Sequence, residues 1–437
     1  MAEQDIYGGR MSPGPVPVDR AAERLSHGRS EQDIYGQHFS QTFDRARDTI
    51  RDHIPHPGDR SHGGGSGAEQ DHYGSRFGNA FDKARQNIPH VGERRGAGSA
   101  AASGAEQDLY GSHFHTGSSV TALGLVQGAV LPSFTFHAAF STVAYGVSRY
   151  TGRAEGKDWF WPTGMTLNAW WSAIGARVLN DGISVSTAWS TLTYSEKLLL
   201  GGVTAWGGRL LYRIASRGIT RGRDDPRYDA VKKDPGFWNK ALYTMFWPEA
   251  VVQTLISLPF VLPFRAPAAS IEASPVTANA TAWHSLAVFL FSTGFAIEVL
   301  ADAQLARHKK NRETGICRES VWSIVRHPNY LGDALIHASF PILLIGAGLF
   351  HPLAALGPIA NYIFLRFIGG DRENEQTQAE RYEKEDPLKA VEFRQYREEK
   401  NSFWPNVREI GNKWSWVVIA AGVAGVVLER GVRSVLA

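Results

Sequence analysis

Hydrophobic positions fall along this chain in two unlike patterns. Up to residue 117 they are sparse and set among Gly, Ser, Pro and charged residues. From residue 118 they gather into apolar stretches of spanning length, at 119–147, 159–180, 196–215, 241–264, 282–305, 333–350, 352–369 and 413–429. Stretches of that length predict membrane-spanning helices, since about 20 residues of helix cross a hydrocarbon core. Buried core helices of a soluble protein are the alternative, but so many long apolar runs would demand a very large core. The pattern therefore predicts an all-α fold: a polytopic helical membrane protein of about seven to eight spans at 118–437, behind a disordered N-terminal tail at 1–117. Pro132 splits the first stretch, which is expected to span once, re-enter or form a hairpin.

The tail carries one motif four times, at Ala2–Gly8, Ser30–Gly36, Ala68–Gly74 and Ala105–Gly111, each with Glu-Gln-Asp-x-Tyr-Gly. Their glutamates at 3, 31, 69 and 106 are unevenly spaced, which argues against a stacked solenoid. Phe39, Phe43, Ala46 and Ile50 make one helical face, and Phe77, Phe81, Ala84 and Ile88 repeat it. A short helix forming on a protein partner or a membrane surface is one reading. A disordered tail of decayed duplications is the other. Residues 1–30 hold Glu3, Asp5, Arg10, Asp19 and Arg20 without an apolar core, so no secretory signal is expected there.

Composition sharpens this picture. The mean hydropathy of −0.24 describes neither half, being the average of a polar tail and an apolar body. All 13 tryptophans follow residue 158, several near span ends, as an aromatic belt requires. A net charge of +3 gives no case for a nucleic-acid partner. The single cysteine, Cys317, excludes an internal disulfide and a Cys-based zinc site. His308, His327, His337 and His351 lack the close pairing of a di-iron site, and no metal is expected. Lys and Arg crowd the 213–240 and 306–326 loops and are nearly absent from 181–195 and 265–281. The positive-inside rule places the basic loops in the cytosol. The side occupied by the tail stays open.

The candidate chemistry lies where a span ends in cations, at Ala301-Asp302-Ala303-Gln304, and the next begins, at Arg326-His327-Pro328-Asn329-Tyr330-Leu331-Gly332-Asp333. Arg and Lys there suit phosphate groups, and His327, Asn329 and Tyr330 suit a base, ribose or amide. The alternative is a capped turn beside lipid headgroups. Asn168, Arg177, Glu249 and Gln253 are polar groups in or near spans and default to functional candidates.

The Arg326–Asp333 run resembles the signature of the membrane reductases related to steroid 5-alpha-reductase, a superfamily that includes sterol C-14 and C-24 reductases. Ala301–Gln304, Trp322, Trp206-Gly207-Gly208-Arg209-Leu210 and Asp225-Pro226-Arg227-Tyr228 fit its uncharacterised members. The resemblance covers about 155–410. It implies a helical endoplasmic-reticulum enzyme of lipid metabolism that binds NADPH on its cytosolic side without a Rossmann domain, and reduces an activated C=C bond of a sterol or other lipid. Carried over by position, the cofactor residues within 301–406 are Gln304, Arg307, Lys310, Trp322, Arg326, His327, Asn329, Tyr330 and Asp333. From the last basic segment come Arg372 and Tyr396, with Asp371 and Glu373 beside them. Tyr330 is the candidate catalytic donor. The charge run Glu373–Glu385 departs from the family pattern and reads as a solvated helix face. Isoprenylcysteine carboxyl methyltransferases carry a similar element, so S-adenosylmethionine and methyl transfer form an alternative. A non-catalytic scaffold that uses the N-terminal repeats is another.

Overall fold

A computed structural model describes residues 122–436 apart from 230, 267–278, 312–314 and 369. The four repeats and the two predicted helical faces of the tail lie outside the described residues. Among the described residues every regular element is helical, and no strand occurs. The helices used below are α1 (Leu131–Thr151), α2 (Gly156–Trp170), α3 (Tyr194–Arg221), α4 (Trp247–Ile256), α5 (Leu258–Arg265), α6 (Ala280–Lys310), α7 (Pro328–Gly346), α8 (Leu356–Ile363), α9 (Asp371–Glu385), α10 (Pro387–Glu399) and α11 (Lys413–Leu436).

In all eight apolar stretches the described residues are mainly helical, but the stretches differ as spans. Ala280–Lys310 and Lys413–Val435 are long and apolar enough to cross a membrane, and Phe237–Ile256 with Leu258–Arg265 qualifies only jointly, bent by 60°. The reason is visible in α3, where Glu196, Lys197, Arg209, Arg213, Arg217 and Arg221 interrupt the apolar face. Pro132 does not split the first stretch. It sits in the first turn of α1, where its missing N–H is not needed, behind a π-helical turn at Val126–Val130.

Local signals set the boundaries. Thr193 and Glu196 form a reciprocal capping box at the start of α3, and Gly222 ends it in the left-handed conformation at φ 69°. Asp386 caps α10, whose first position is Pro387.

The main core joins α2, α3, α5, α6 and α7 around Trp206, Phe260 and Phe340. Helix α6 lies against both α7 and α11. Its contact with α7 is a glycine pair: a Cβ on Gly332 would meet the Gly294 carbonyl oxygen at 2.6 Å, and one on Gly294 would meet the Gly332 carbonyl oxygen at 2.5 Å. Gly332 of the signature run is thus required for backbone approach.

Polar groups inside the bundle bond to one another. Asn168 donates to Ser133 at 2.6 Å and lies 3.1 Å from His137, whose Nε2 is 3.2 Å from Ser257 at the elbow between α4 and α5. Gln253 is buried with its Oε1 close against Gly164 of α2. Glu249 pairs with Lys157, and Arg177 donates to the Ala188 carbonyl and Thr191. These four sequence candidates are tied into helix–helix contacts, as polar residues inside membrane bundles commonly are.

Candidate functional site

The basic ends of α6 and α7 are joined by the 315–327 loop, and the hairpin α9–α10 lies over that loop. Between them is a narrow, open-sided cleft with a free volume of about 30 Å³. Trp322, Arg326, His327, Asn329, Tyr330 and Tyr396 line it, together with Asn374 and Gln378 of α9.

The loop is shaped from both sides. Val321 N–H donates to Gln304 Oε1 at 3.1 Å, and the Trp322 indole donates to the Ala301 carbonyl at 3.2 Å. The Tyr396 hydroxyl donates to the carbonyls of Trp322 and Val325. Backbone N–H groups of Arg326 and His327 donate to the Asn401 and Ser402 carbonyls, each at 3.0 Å. Pro328 then opens α7 in the first turn, where proline costs nothing.

One carboxylate dominates the site. Glu375 accepts a two-pronged contact from Arg326, Nε at 2.8 Å and Nη2 at 2.9 Å. His327 Nε2 lies 3.0 Å from the same carboxylate, and Arg397 Nε 3.3 Å. Arg326 also donates to the backbone carbonyls of Arg397 and Lys400. Burial works against the Glu375 charge, but hydrogen bonds from His327 and Arg326 outweigh it and hold the carboxyl at about 2. Burial likewise lowers His327 below its ordinary value, against the opposing pull of Glu375. A neutral ring facing a carboxylate must present a proton, so Nε2 is the protonated nitrogen.

A pH dependence follows. A carboxyl depressed in the folded state adds stability above its unfolded value near 4.5, and that stability is lost as pH falls toward 2. The contribution is on the order of 3 kcal/mol. Thermal melts in detergent are expected to fall between those pH values in the native protein and to fall less in Glu375→Gln. Parallel acid curves for the two proteins would refute the assignment.

Tyr330 stacks on His327 with ring centroids 5.3 Å apart and 11° between planes. Its hydroxyl accepts from Asn374 Nδ2, which directs the phenolic hydrogen to another acceptor. Arg227, of the Asp225-Pro226-Arg227-Tyr228 run, is paired with Asp158 and Asp225. The Asn329 Oδ1 atom is buried in the cleft wall and accepts no hydrogen bond. Such an atom favours a ligand that brings an N–H or O–H.

The family follows from the sequence of this same region. The chain belongs to the family described as "Protein of unknown function (DUF1295)". Its model matches residues 144–400, which holds the cleft, the hairpin and α2 to α8. Neither the curated proteins nor the solved structures hold a match.

Within the DUF1295 region, six of the expected cofactor residues share the cleft and five do not. Arg307 and Lys310 stand exposed in the last turn of α6 and do not line it. Gln304 shapes the loop from behind. Asp333 faces the bundle, accepting from the Trp206 indole at 2.7 Å and from Asn361 at 2.8 Å. Arg372 is exposed over the Phe367 ring at 4.5 Å. Asp333 stands nearly one turn further along α7 than Tyr330, about 4.5 Å deeper, and there meets Trp206 of α3 and Asn361 of α8. Arg372 sits on the outer face of α9. Asp371 is buried against Arg366 and Ser402, holding the start of α9.

The motifs that carry the family resemblance meet beside the cleft. Trp206 reaches Asp333, and Arg209 pairs with Asp302 and Glu298, each at 2.6 Å. Sequence reasoning missed Asn374, Glu375 and Gln378. The run Glu373–Glu385 is solvated only in part: Glu380, Glu383 and Glu385 are exposed, but Asn374, Glu375, Gln378 and Tyr382 are buried on one face. Their spacing of about four residues was the available signal.

Proposed function

We propose that this protein is an integral membrane reductase of the endoplasmic reticulum, using NADPH to reduce an activated C=C bond of a sterol or other lipid, with the cleft facing the cytosol. The observation that carries this reading is the gathering of Trp322, Asn329, Tyr330 and Tyr396 of the resemblance in one cleft beside an apolar bundle.

The fit to a dinucleotide is divided. Flat aromatic walls and the unmatched acceptor of Asn329 suit a ring that bears an amide or amine. The phosphates fit less well, because Arg326 and His327 are engaged by Glu375. Bound NADPH would supply the hydride. The protein's own part is to direct the Tyr330 hydroxyl at a substrate carbonyl and to stabilise charge forming on that oxygen. In the closed cleft Asn374 holds that hydroxyl. The basic 213–240 and 306–326 loops support a cytosolic cleft. Lipid substrate would enter from the bilayer.

The test is a titration of the purified protein with NADPH and with S-adenosylmethionine, followed by tryptophan fluorescence. Saturable NADPH binding is expected, weakened about tenfold in Asn329→Ala, which removes a hydrogen-bonding group from the cleft. Binding of S-adenosylmethionine alone would make the protein a methyltransferase. Binding of neither would favour the scaffold.

A further inference from the structure

The disagreement between the cations of the cleft and their occupant points to how the site is controlled. Arg326 offers a flat fork, His327 a ring N–H and Arg397 a second cationic group, all converging on one point. Such a set suits a phosphate or diphosphate oxygen. What occupies that point is a carboxylate of the chain itself, Glu375, on the first turns of α9.

We infer that the hairpin α9–α10 is an autoinhibitory strap, in which Glu375 fills the anion site and a phosphate-bearing ligand must displace it to bind. This rests on the nucleotide-binding reading above and adds its regulation. Two further observations support it.

The strap is held to the loop beneath largely by exchangeable polar contacts. Ile316 N–H donates to Glu392 at 3.0 Å, Arg318 pairs with Glu399 at 2.6 Å, and Glu375 supplies the remaining charged latch. Its apolar support is one small cluster, Ile316, Tyr382, Ala390, Phe393 and Tyr396, separate from the main core. Segments with so little buried apolar contact open at low free energy, and binding elements are drawn from them.

The cleft also changes character without the strap. Asn374 and Gln378 of α9 line it, and Tyr396 of α10 closes one wall. Release of Glu375 would therefore expose the Arg326 fork and widen the cleft in the same movement. A ligand that binds only the released state has its affinity reduced by the fraction of molecules released. Removal of the Glu375 charge should lift that reduction.

The experiment uses the full chain in detergent with inorganic pyrophosphate as probe. Glu375→Gln is expected to bind pyrophosphate about tenfold more tightly than the native protein. It should also melt lower alone and regain its melting temperature with pyrophosphate, a rescue that a purely structural Glu375 would not give. In the native protein, a measurement that needs no variant, pyrophosphate should speed hydrogen exchange in residues 371–399 and leave α7 unchanged. Equal or weaker pyrophosphate binding by Glu375→Gln overturns the strap, as does unchanged or slowed exchange of 371–399 at saturating pyrophosphate. Tighter pyrophosphate binding without NADPH binding by either protein keeps the strap and rejects the nucleotide reading.

Discussion

Arg326→Ala is expected to destabilise the protein by about 3–5 kcal/mol, because it strips the main partner from a buried carboxylate. The Arg326 and Glu375 side chains are 10% and 7% exposed, so water cannot take the place of the guanidinium. The same change frees the carbonyls of Arg397 and Lys400, which cap the end of the hairpin. Arg326→Lys should recover less than half of the loss, since a point charge cannot make the two-pronged contact with Glu375. The informative comparison is a double-mutant cycle read by thermal melting. If the pair is coupled as the geometry requires, Arg326→Ala with Glu375→Ala is less damaging than Arg326→Ala alone. Additive losses would show that the two side chains act separately.

The second large effect lies in the packing beneath the site. Gly332→Ala should cost about 3 kcal/mol or more, the upper range for overpacking, and reduce the folded yield. Its new methyl would meet the Gly294 carbonyl oxygen at 2.6 Å and the Glu298 backbone nitrogen at 3.1 Å. Backbone on a packed helix cannot turn aside, so α6 and α7 must separate and carry the loop with them. Gly208→Ala on α3 provides the contrast. Its methyl would meet no atom within 4 Å. Its loss should be clearly smaller. Equal losses at the two positions would remove the argument from backbone contact.

Both effects pass through residues of the Arg326–Asp333 run, but for different reasons. Arg326 and His327 meet an anion, Asn329 and Tyr330 face the cleft, Gly332 admits a neighbouring backbone, and Asp333 anchors Trp206 and Asn361. A run read as one ligand-binding signature is a site and its foundation in alternation. On a helix, successive residues are about 100° apart, so eight consecutive side chains must serve several neighbours.

The sequence by itself determined the helical class of the described residues and the place of the cleft. Each rests on local properties: apolar run length, proline and glycine positions, and cations at helix ends. Only the tertiary structure decided which polar residues meet. Asn168 turned out to meet Ser133 and His137 inside the bundle, whereas Glu375, hidden in a run of charges, became the centre of the site. The span count differs too: α3 buries apolar residues such as Leu199, Val203 and Trp206 in the core, yet its charges keep it from being long and apolar enough to count as a span. Partner choice between residues about 50 apart, such as His327 and Glu375, depends on how helices dock. No window along the chain contains that information.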